Sequence, residues 1–217
     1  MTDRSAVCRE WSLLSPAEVR ARYERVRAEV GPGVTVVAAT KYVSLAEMTV
    51  LAEAGIEVVG ENRAQDLEAK HAEYGDAFRW HFIGKLQSNK AKVVNRTCEL
   101  VHSLDSLSAA ARLEVPALVQ VNLAGEASKA GVEPDELAAY VAQGVVGLST
   151  MPPAAADPEE SRRWFRALRE LAAQHGLDQL SMGTTQDYRV AAAEGATYVR
   201  VGSGLFRDRN GSYDHVT

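Results

Sequence analysis

Short apolar runs alternate with helical patterns along most of this 217-residue chain. Eight of the runs are rich in β-branched residues, which is typical of strands buried in a parallel sheet. The predicted strands cover 34–40, 57–62, 80–84, 100–105, 117–123, 145–151, 180–184 and 198–203. Eight such alternations predict an α/β fold, a single (β/α)8 TIM barrel. A doubly wound open sheet stays an alternative, because one sequence does not give the order of the strands.

Capping signals mark where the helices begin. Ser15 and Glu18 form a capping box at the start of a helix that ends at Gly31, before the first strand. Ser44 and Glu47 repeat the spacing after that strand. The fold prediction therefore includes an additional N-terminal helix in front of the barrel.

The composition shows no boundary between domains. We predict one barrel domain over 1–217, with flexible ends at 1–15 and 207–217. The connections before the fifth and sixth strands are short, so the helices that follow strands 4 and 5 are expected to be clipped.

Charge and cysteine content exclude several classes of protein. The net charge of −5 argues against a general nucleic-acid binder. Charged residues interrupt the N-terminal segment, and no apolar run is long enough for a membrane span. Cys8 and Cys98 are far apart and lie in no CxxC motif, so neither a metal site nor a disulfide framework is predicted. The expectation is a soluble cytoplasmic protein.

Candidate chemistry lies at the carboxyl ends of the predicted strands, where TIM barrels carry their active sites. Lys41 directly follows the apolar run "VVAAT". An unpaired lysine is almost never fully buried. Lys41 therefore either reaches the solvated rim or supplies an amine that forms a Schiff base with a carbonyl group, and its position alone leaves both interpretations open.

Two segments near the C-terminus favour an anion. "RVGSG" offers Gly202 and Ser203 after the last strand, and "MGTTQDY" offers two hydroxyl groups before a helix predicted to open at Gln186. Either segment alone is ordinary turn chemistry. Together, after strands 7 and 8 of a barrel, they predict a phosphate site.

The segment "WHFIGKLQSNKAK" is weakly basic and contains His81. Its lysines are typical of a solvated helix start. His81 is either a ligand contact in the barrel mouth or a hydrogen-bonded core residue. No Walker motif, Gly-x-Ser-x-Gly elbow or HExxH motif is present.

Seven segments in this order resemble the pyridoxal phosphate homeostasis family. They are "ATK", "GENRAQ", "WHFIGKLQSNK", "VHSLD", "VQVN…SKAG", "LSMGTTQD" and "VRVGSGLF". The match runs from about residue 34 to residue 206. The family is similar to the N-terminal barrel of alanine racemase and lacks that enzyme's second domain. The resemblance implies pyridoxal phosphate (PLP) as cofactor.

The resemblance also assigns site residues. Lys41 matches the Schiff-base lysine, Asn62 a residue near the cofactor ring, and Arg200 the arginine that faces the pyridine nitrogen. Gly202 and Ser203 match the phosphate-binding pair. Thr185 falls where the family commonly has serine, so the hydroxyl is retained with an added methyl. His81 matches a motif histidine whose role is not defined. The full predicted cofactor site is Lys41, Asn62, His81, Thr185, Arg200, Gly202 and Ser203.

The implied function is cofactor homeostasis without robust catalysis. The protein would hold PLP on Lys41 and release it, with apo PLP-dependent enzymes as partners. A monomer is expected, since the second domain through which racemases dimerise is missing. A weak amino-acid racemase is the alternative, although it needs a second acid–base group. A barrel enzyme that acts on a phosphorylated sugar through Lys41 is a third hypothesis.

Overall fold

Eight parallel strands form a closed barrel in the order of the chain. The computed structural model describes residues 15–125 and 130–206. The strands are β1 (Thr35–Ala39), β2 (Val58–Glu61), β3 (Arg79–Phe82), β4 (Leu100–Leu104), β5 (Ala117–Gln120), β6 (Gly147–Ser149), β7 (Gln179–Thr184) and β8 (Tyr198–Val201). β1 pairs with β8, which closes the barrel. The TIM-barrel prediction is confirmed, and the open sheet is excluded.

Helices follow the strands and cover the outside of the barrel. They are α1 (Pro16–Val30), α2 (Met48–Glu53), α3 (Ala64–Tyr74), α4 (Ala91–Thr97), α5 (Leu107–Ala110), α6 (Leu137–Val141), α7 (Arg162–Gln174), α8 (Tyr188–Ala193) and α9 (Ser203–Phe206). α1 is the predicted N-terminal helix, and its capping box is present: the Ser15 N–H donates to Glu18 Oε2 at 2.9 Å. None of the helices in the described ranges is long and apolar enough to cross a membrane.

Two connections depart from regular barrel geometry. α5 has four residues and α6 has five, so the helices after the fourth and fifth strands are clipped as predicted. The barrel closes nevertheless, because β5 keeps its pairing with both β4 and β6. Of the predicted flexible ends, Ser15 is the N-cap of α1; the segments 1–14 and 207–217 lie outside the described residues.

The helix predicted to open at Gln186 begins later, at Tyr188. The Asp187 carboxylate accepts hydrogen bonds from the backbone N–H of Thr184 at 2.7 Å and from its hydroxyl at 3.1 Å. These bonds close a turn at the end of β7, and only then does the chain become helical. α8 has only six residues, so its dipole contributes little to binding an anion at its N-terminus.

Strand residues alternate between the helix layer and the barrel interior. Val36, Ala38 and Val59 belong to the apolar cluster that packs under the helices. The opposite face fills the interior, and there apolar side chains such as Val37 and Leu118 share the space with buried polar ones. The buried polar residues of β3, β4, β6, β7 and β8 are His81, His102, Ser103, Ser149, Ser181 and Arg200. The interior is therefore unusually polar for a barrel core.

Candidate functional site at the barrel mouth

Lys41 lies on the loop that follows β1 and is exposed to solvent. Its Nζ is 4.9 Å from the centroid of the exposed Tyr42 ring. The preceding residue, Thr40, is fully buried, and its backbone N–H donates to the Gly60 carbonyl at 3.0 Å. The backbone is thus fixed one residue before the side chain enters solvent. Such a lysine is both anchored and accessible to a small molecule.

A buried ion pair holds this strand end in place. Lys70 of α3 donates to Glu61 Oε1 of β2 and, at 3.0 Å, to the Thr40 carbonyl. The Thr40 hydroxyl donates to the same Glu61 oxygen at 2.6 Å. Sequence reasoning missed this pair. The available signal was a charged residue, Glu61, at the end of an otherwise apolar strand.

Asn62 follows β2 and presents an unsatisfied acceptor. Its Oδ1 is the one buried side-chain nitrogen or oxygen atom in the described part of the chain without a hydrogen-bond partner. Gly84 packs against its backbone so closely that a Cβ at Gly84 would lie 2.0 Å from the Asn62 carbonyl oxygen. An orphaned buried polar atom is rare in proteins and points to a ligand. Asn62 therefore fits a role beside a cofactor.

Arg200 of β8 is buried, and none of the ion pairs among the described residues includes it. Its guanidinium donates to Ser181 Oγ at 3.1 Å, the Thr150 carbonyl at 2.9 Å and Met151 Sδ at 3.0 Å. Burial lowers the pKa of Arg200 to about 10, and the charge of Asp187 opposes that shift. An arginine has five N–H donors, so hydrogen bonds remain to be made with a ligand.

The predicted phosphate residues come together at the ends of β7 and β8. The Gly202 N–H donates to Thr185 Oγ at 3.3 Å. A Cβ at Gly202 would lie 3.2 Å from the Ala39 carbonyl, which places this turn against the end of β1 and near Lys41. Ser203 begins α9. The ends of β7, β8 and β1 thus lie close together at this turn.

The extra methyl of Thr185 is accommodated by a glycine. A Cβ at Gly204 would approach Thr185 Cγ2 to 2.7 Å, well inside contact distance. The hydroxyl therefore keeps its place because Gly204 leaves room for the methyl.

His81 lies deeper than a mouth position. It is 2 % exposed, and its Nδ1 is 2.9 Å from His102 Nε2. Its ring also packs edge-on against Tyr198, with the centroids 5.9 Å apart. Burial lowers the pKa of His81 to about 4, so the ring is neutral near pH 7. The structure connects His81 to Arg200 only through His102 and Ser181, and direct contact with a cofactor stays a prediction.

The basic segment after β3 lies at the edge of this face. Lys85 Nζ is 3.7 Å from Asp105 Oδ2, and its side chain is 73 % exposed. Lys90 borders a small pocket together with Asn62 and Arg63. These lysines are solvated, as the sequence indicated.

The alanine racemase N-terminal domain model matches residues 14–210 of the chain. The pyridoxal phosphate homeostasis protein of Aquifex aeolicus is 40 % identical, over 71 % of this chain and 78 % of that protein. The homologue from Synechocystis sp. is 34 % identical, over 86 % of this chain and 97 % of that protein.

Solved structures agree with these sequence matches. PipY of Synechococcus elongatus PCC7942 is 33 % identical, and the alignment covers 87 % of this chain and 99 % of PipY. The TM-score is 0.80 for the structure without PLP and 0.79 for the structure with PLP bound. On the sequence identity and the coverage of both partners, this chain belongs to the pyridoxal phosphate homeostasis protein family.

Proposed function

We propose that this protein binds pyridoxal phosphate in the barrel mouth, holds it as an imine on Lys41, and buffers or delivers it to other proteins. The observation that carries the proposal is Arg200, a buried cation that meets only neutral acceptors. A buried charge without a counter-charge in contact is costly, and an electron-rich ligand atom in the mouth would offset part of that cost. The PLP-bound structure of PipY, on the same fold, supports the choice of ligand.

Each group of the cofactor has a matching group in the protein. The phosphate suits the turn formed by Thr185, Gly202 and Ser203, where the Gly202 backbone N–H meets the Thr185 hydroxyl. The pyridine nitrogen suits an N–H of Arg200. The Asn62 side chain, whose Oδ1 lacks a partner, suits the ring hydroxyl as an acceptor.

Lys41 supplies the reversible bond. Its amine, in the deprotonated form, condenses with the aldehyde and releases one water, and hydrolysis reverses the step. Because Lys41 is exposed, water and competing amines reach the imine. Such a site exchanges its cofactor, which suits a protein that supplies PLP to apo-enzymes. We further propose that it acts as a cytoplasmic monomer.

Racemisation is the alternative that the site supports less well. PLP supplies an electron sink, and its strength depends on protonation of the ring nitrogen. Arg200, which is cationic at neutral pH, would face that nitrogen and disfavour a proton there. Two tyrosines have other partners: Tyr188 donates to Glu29, and the Tyr198 hydroxyl donates to Gln179 Oε1 at 3.1 Å. We expect no useful exchange of substrate α-hydrogen with deuterium oxide.

The proposal is tested by adding PLP to the purified protein and recording the visible absorbance of an imine. Borohydride reduction and peptide mass mapping then locate the label. We expect the label on Lys41, its loss in Lys41→Ala, and its retention in Lys85→Ala, which removes another exposed lysine near the mouth. Absence of the band, or labelling of the Lys41→Ala variant equal to that of the wild type, would contradict the proposal and favour phosphorylated-sugar chemistry.

A further inference from the structure

A row of polar side chains crosses the barrel interior behind Arg200. Ser181 Oγ lies 3.1 Å from Arg200 Nη1 and 2.7 Å from His102 Nδ1. His102 Nε2 in turn lies 2.9 Å from His81 Nδ1. Ser181 and His102 are fully buried, and His81 is 2 % exposed. These four residues come from four different strands and form one continuous hydrogen-bonded row, here called the interior relay.

The chemistry of the groups gives the relay a direction. A guanidinium is only a donor, so Ser181 Oγ accepts from Arg200. The only acceptor within reach of the Ser181 hydroxyl hydrogen among the described residues is His102 Nδ1. His102 then carries its proton on Nε2 and donates it to His81 Nδ1. Every bond points away from Arg200, and both imidazoles are the Nε2–H tautomer.

The electrostatics of the interior agree with neutral imidazoles. Burial lowers the pKa of His102 well below its ordinary value, and the charge of Arg200 adds to that effect. A protonated His102 would carry a hydrogen on Nδ1 and could not accept from Ser181. The serine would then lose the acceptor that keeps its lone pairs turned toward Arg200. Neutral His102 is thus required for the orientation of Ser181.

We propose that Ser181 and His102 are positioning residues that orient the Arg200 guanidinium toward the barrel mouth, and that His81 fixes the tautomer of His102. This inference rests on the proposed function, because the aimed N–H meets the pyridine nitrogen of the cofactor. The relay leaves one Nη1 hydrogen and the Nε hydrogen of Arg200 outside the hydrogen bonds described. Its effect is to pre-organise the donor before the ligand arrives.

The tautomers test the relay in the protein without cofactor. Two-bond ¹H–¹⁵N correlation spectra of ¹⁵N-histidine-labelled protein distinguish Nδ1–H from Nε2–H imidazoles. We expect Nε2–H for both His81 and His102 at neutral pH. An Nδ1–H tautomer or an imidazolium at His102 overturns the inference, whether or not PLP binds.

A matched pair of variants tests the link to the ligand. Ser181→Ala removes one of the three acceptors of Arg200, the hydroxyl that links it to His102. Ser149→Ala removes an equally buried interior serine that donates to the His102 backbone carbonyl and is not among the hydrogen-bond partners described for Arg200. We expect about a tenfold weaker affinity for PLP in Ser181→Ala, the usual size for a lost hydrogen bond to a charged group, and less than a twofold change in Ser149→Ala.

Ser181→Thr keeps the hydroxyl and is expected to retain most of the wild-type affinity. It also provides a test if Ser181→Ala does not fold. Equal affinities in Ser181→Ala and Ser149→Ala, or no rescue by threonine in a folded variant, overturn the positioning role. Failure of the wild-type protein to bind PLP overturns the proposed function itself, and the inference with it.

Discussion

Two lysine or arginine side chains are buried in the described part of the chain, Lys70 and Arg200, and they differ in their partners. Lys70 donates to the Glu61 carboxylate and to the Thr40 carbonyl, so a counter-charge is in contact. Arg200 is also buried, but its acceptors are a hydroxyl, a carbonyl and a thioether. At Lys70, contact with the Glu61 carboxylate offsets the desolvation cost of the buried charge. At Arg200, the three neutral acceptors offset only part of that cost.

This difference in partners indicates different roles for Lys70 and Arg200. A buried cation with its own carboxylate is an internal support, and here it holds the residue that precedes Lys41. Arg200 has no such carboxylate, and two of its five N–H groups make none of the hydrogen bonds described, so we propose that they face a ligand. The exposed Lys41 belongs to neither group, because its ammonium is solvated and its position is set by Lys70 through Thr40. We therefore propose different roles for the three basic residues: Lys70 supports the strand end, Arg200 contacts the ligand, and Lys41 forms the covalent bond.

The largest effect is expected when the Lys70 partner is removed. Glu61→Gln leaves Lys70 buried without its counter-charge, and we expect the free energy of unfolding to fall by about 3 to 5 kcal/mol. Urea unfolding measures the change. The exposed pair between Arg79 and Glu99, 2.8 Å apart, provides the control. Glu99→Gln is expected to cost less than about 1 kcal/mol. Similar losses in both variants would remove the distinction between a buried support and a surface ion pair.

The double variant Glu61→Leu with Lys70→Met sharpens this test. It removes both charges and leaves apolar side chains of similar size, so most of the lost stability should return. A double variant as unstable as Glu61→Gln would show that packing, and not the uncompensated charge, determines the loss.

The second largest effect is expected from acid, which should lower the free energy of unfolding by protonating the histidines of the interior relay. The folded-state pKa of His81 is about 4, below its ordinary value of 6.5, and that of His102 is lowered as well. The unfolded chain therefore binds more protons between pH 6.5 and 4, and stability falls as the pH falls through that window. For His81 alone the loss at pH 4 is about 3 kcal/mol.

His81→Asn separates this effect from the titration of carboxylates. The substitution removes one titrating ring, and the amide oxygen of the asparagine keeps an acceptor for His102. Urea unfolding from pH 7 to 4 should show a shallower decline for this variant than for the wild type. Parallel curves would contradict the lowered pKa of His81.

The smallest effect concerns the turn beside Arg200. Gly204→Ala brings a Cβ to 2.7 Å from the Thr185 methyl, and we expect a loss of about 1 to 3 kcal/mol and weaker PLP binding. Thr185→Ser removes that methyl. The double variant should regain wild-type stability, since alanine is favoured over glycine in α9. Thermal unfolding of the four proteins measures the coupling, and strictly additive losses would contradict the contact.

Much of the fold was readable because each strand is a short β-branched run between helical patterns. β1 was predicted at 34–40 and spans Thr35–Ala39, and β8 was predicted at 198–203 and spans Tyr198–Val201. Strand ends also determine where side chains converge in a parallel barrel, so Thr185 and Gly202 could be placed together before the structure. Whether they bind phosphate stays a prediction.

The sequence did not predict contacts between distant strands. His102 and Ser181 are 79 residues apart, and no spacing pattern joins them. The Glu61–Lys70 pair depends on where α3 returns along β2, which the helix period alone does not give. The predicted start of α8 at Gln186 was wrong, because the Asp187 side chain first closes a turn with Thr184. This local side-chain hydrogen bond outweighs helix propensity.

The most direct test of the central claim, that Arg200 is the ligand-facing cation, uses pyridoxine 5′-phosphate, which lacks the aldehyde and cannot form an imine. Titration calorimetry compares the wild type with Arg200→Met, a variant that fills the site without charge. We predict at least a tenfold weaker affinity in Arg200→Met, because a hydrogen bond from a charged donor is lost. Equal affinities would show that Arg200 does not face the ligand and would contradict the proposed site.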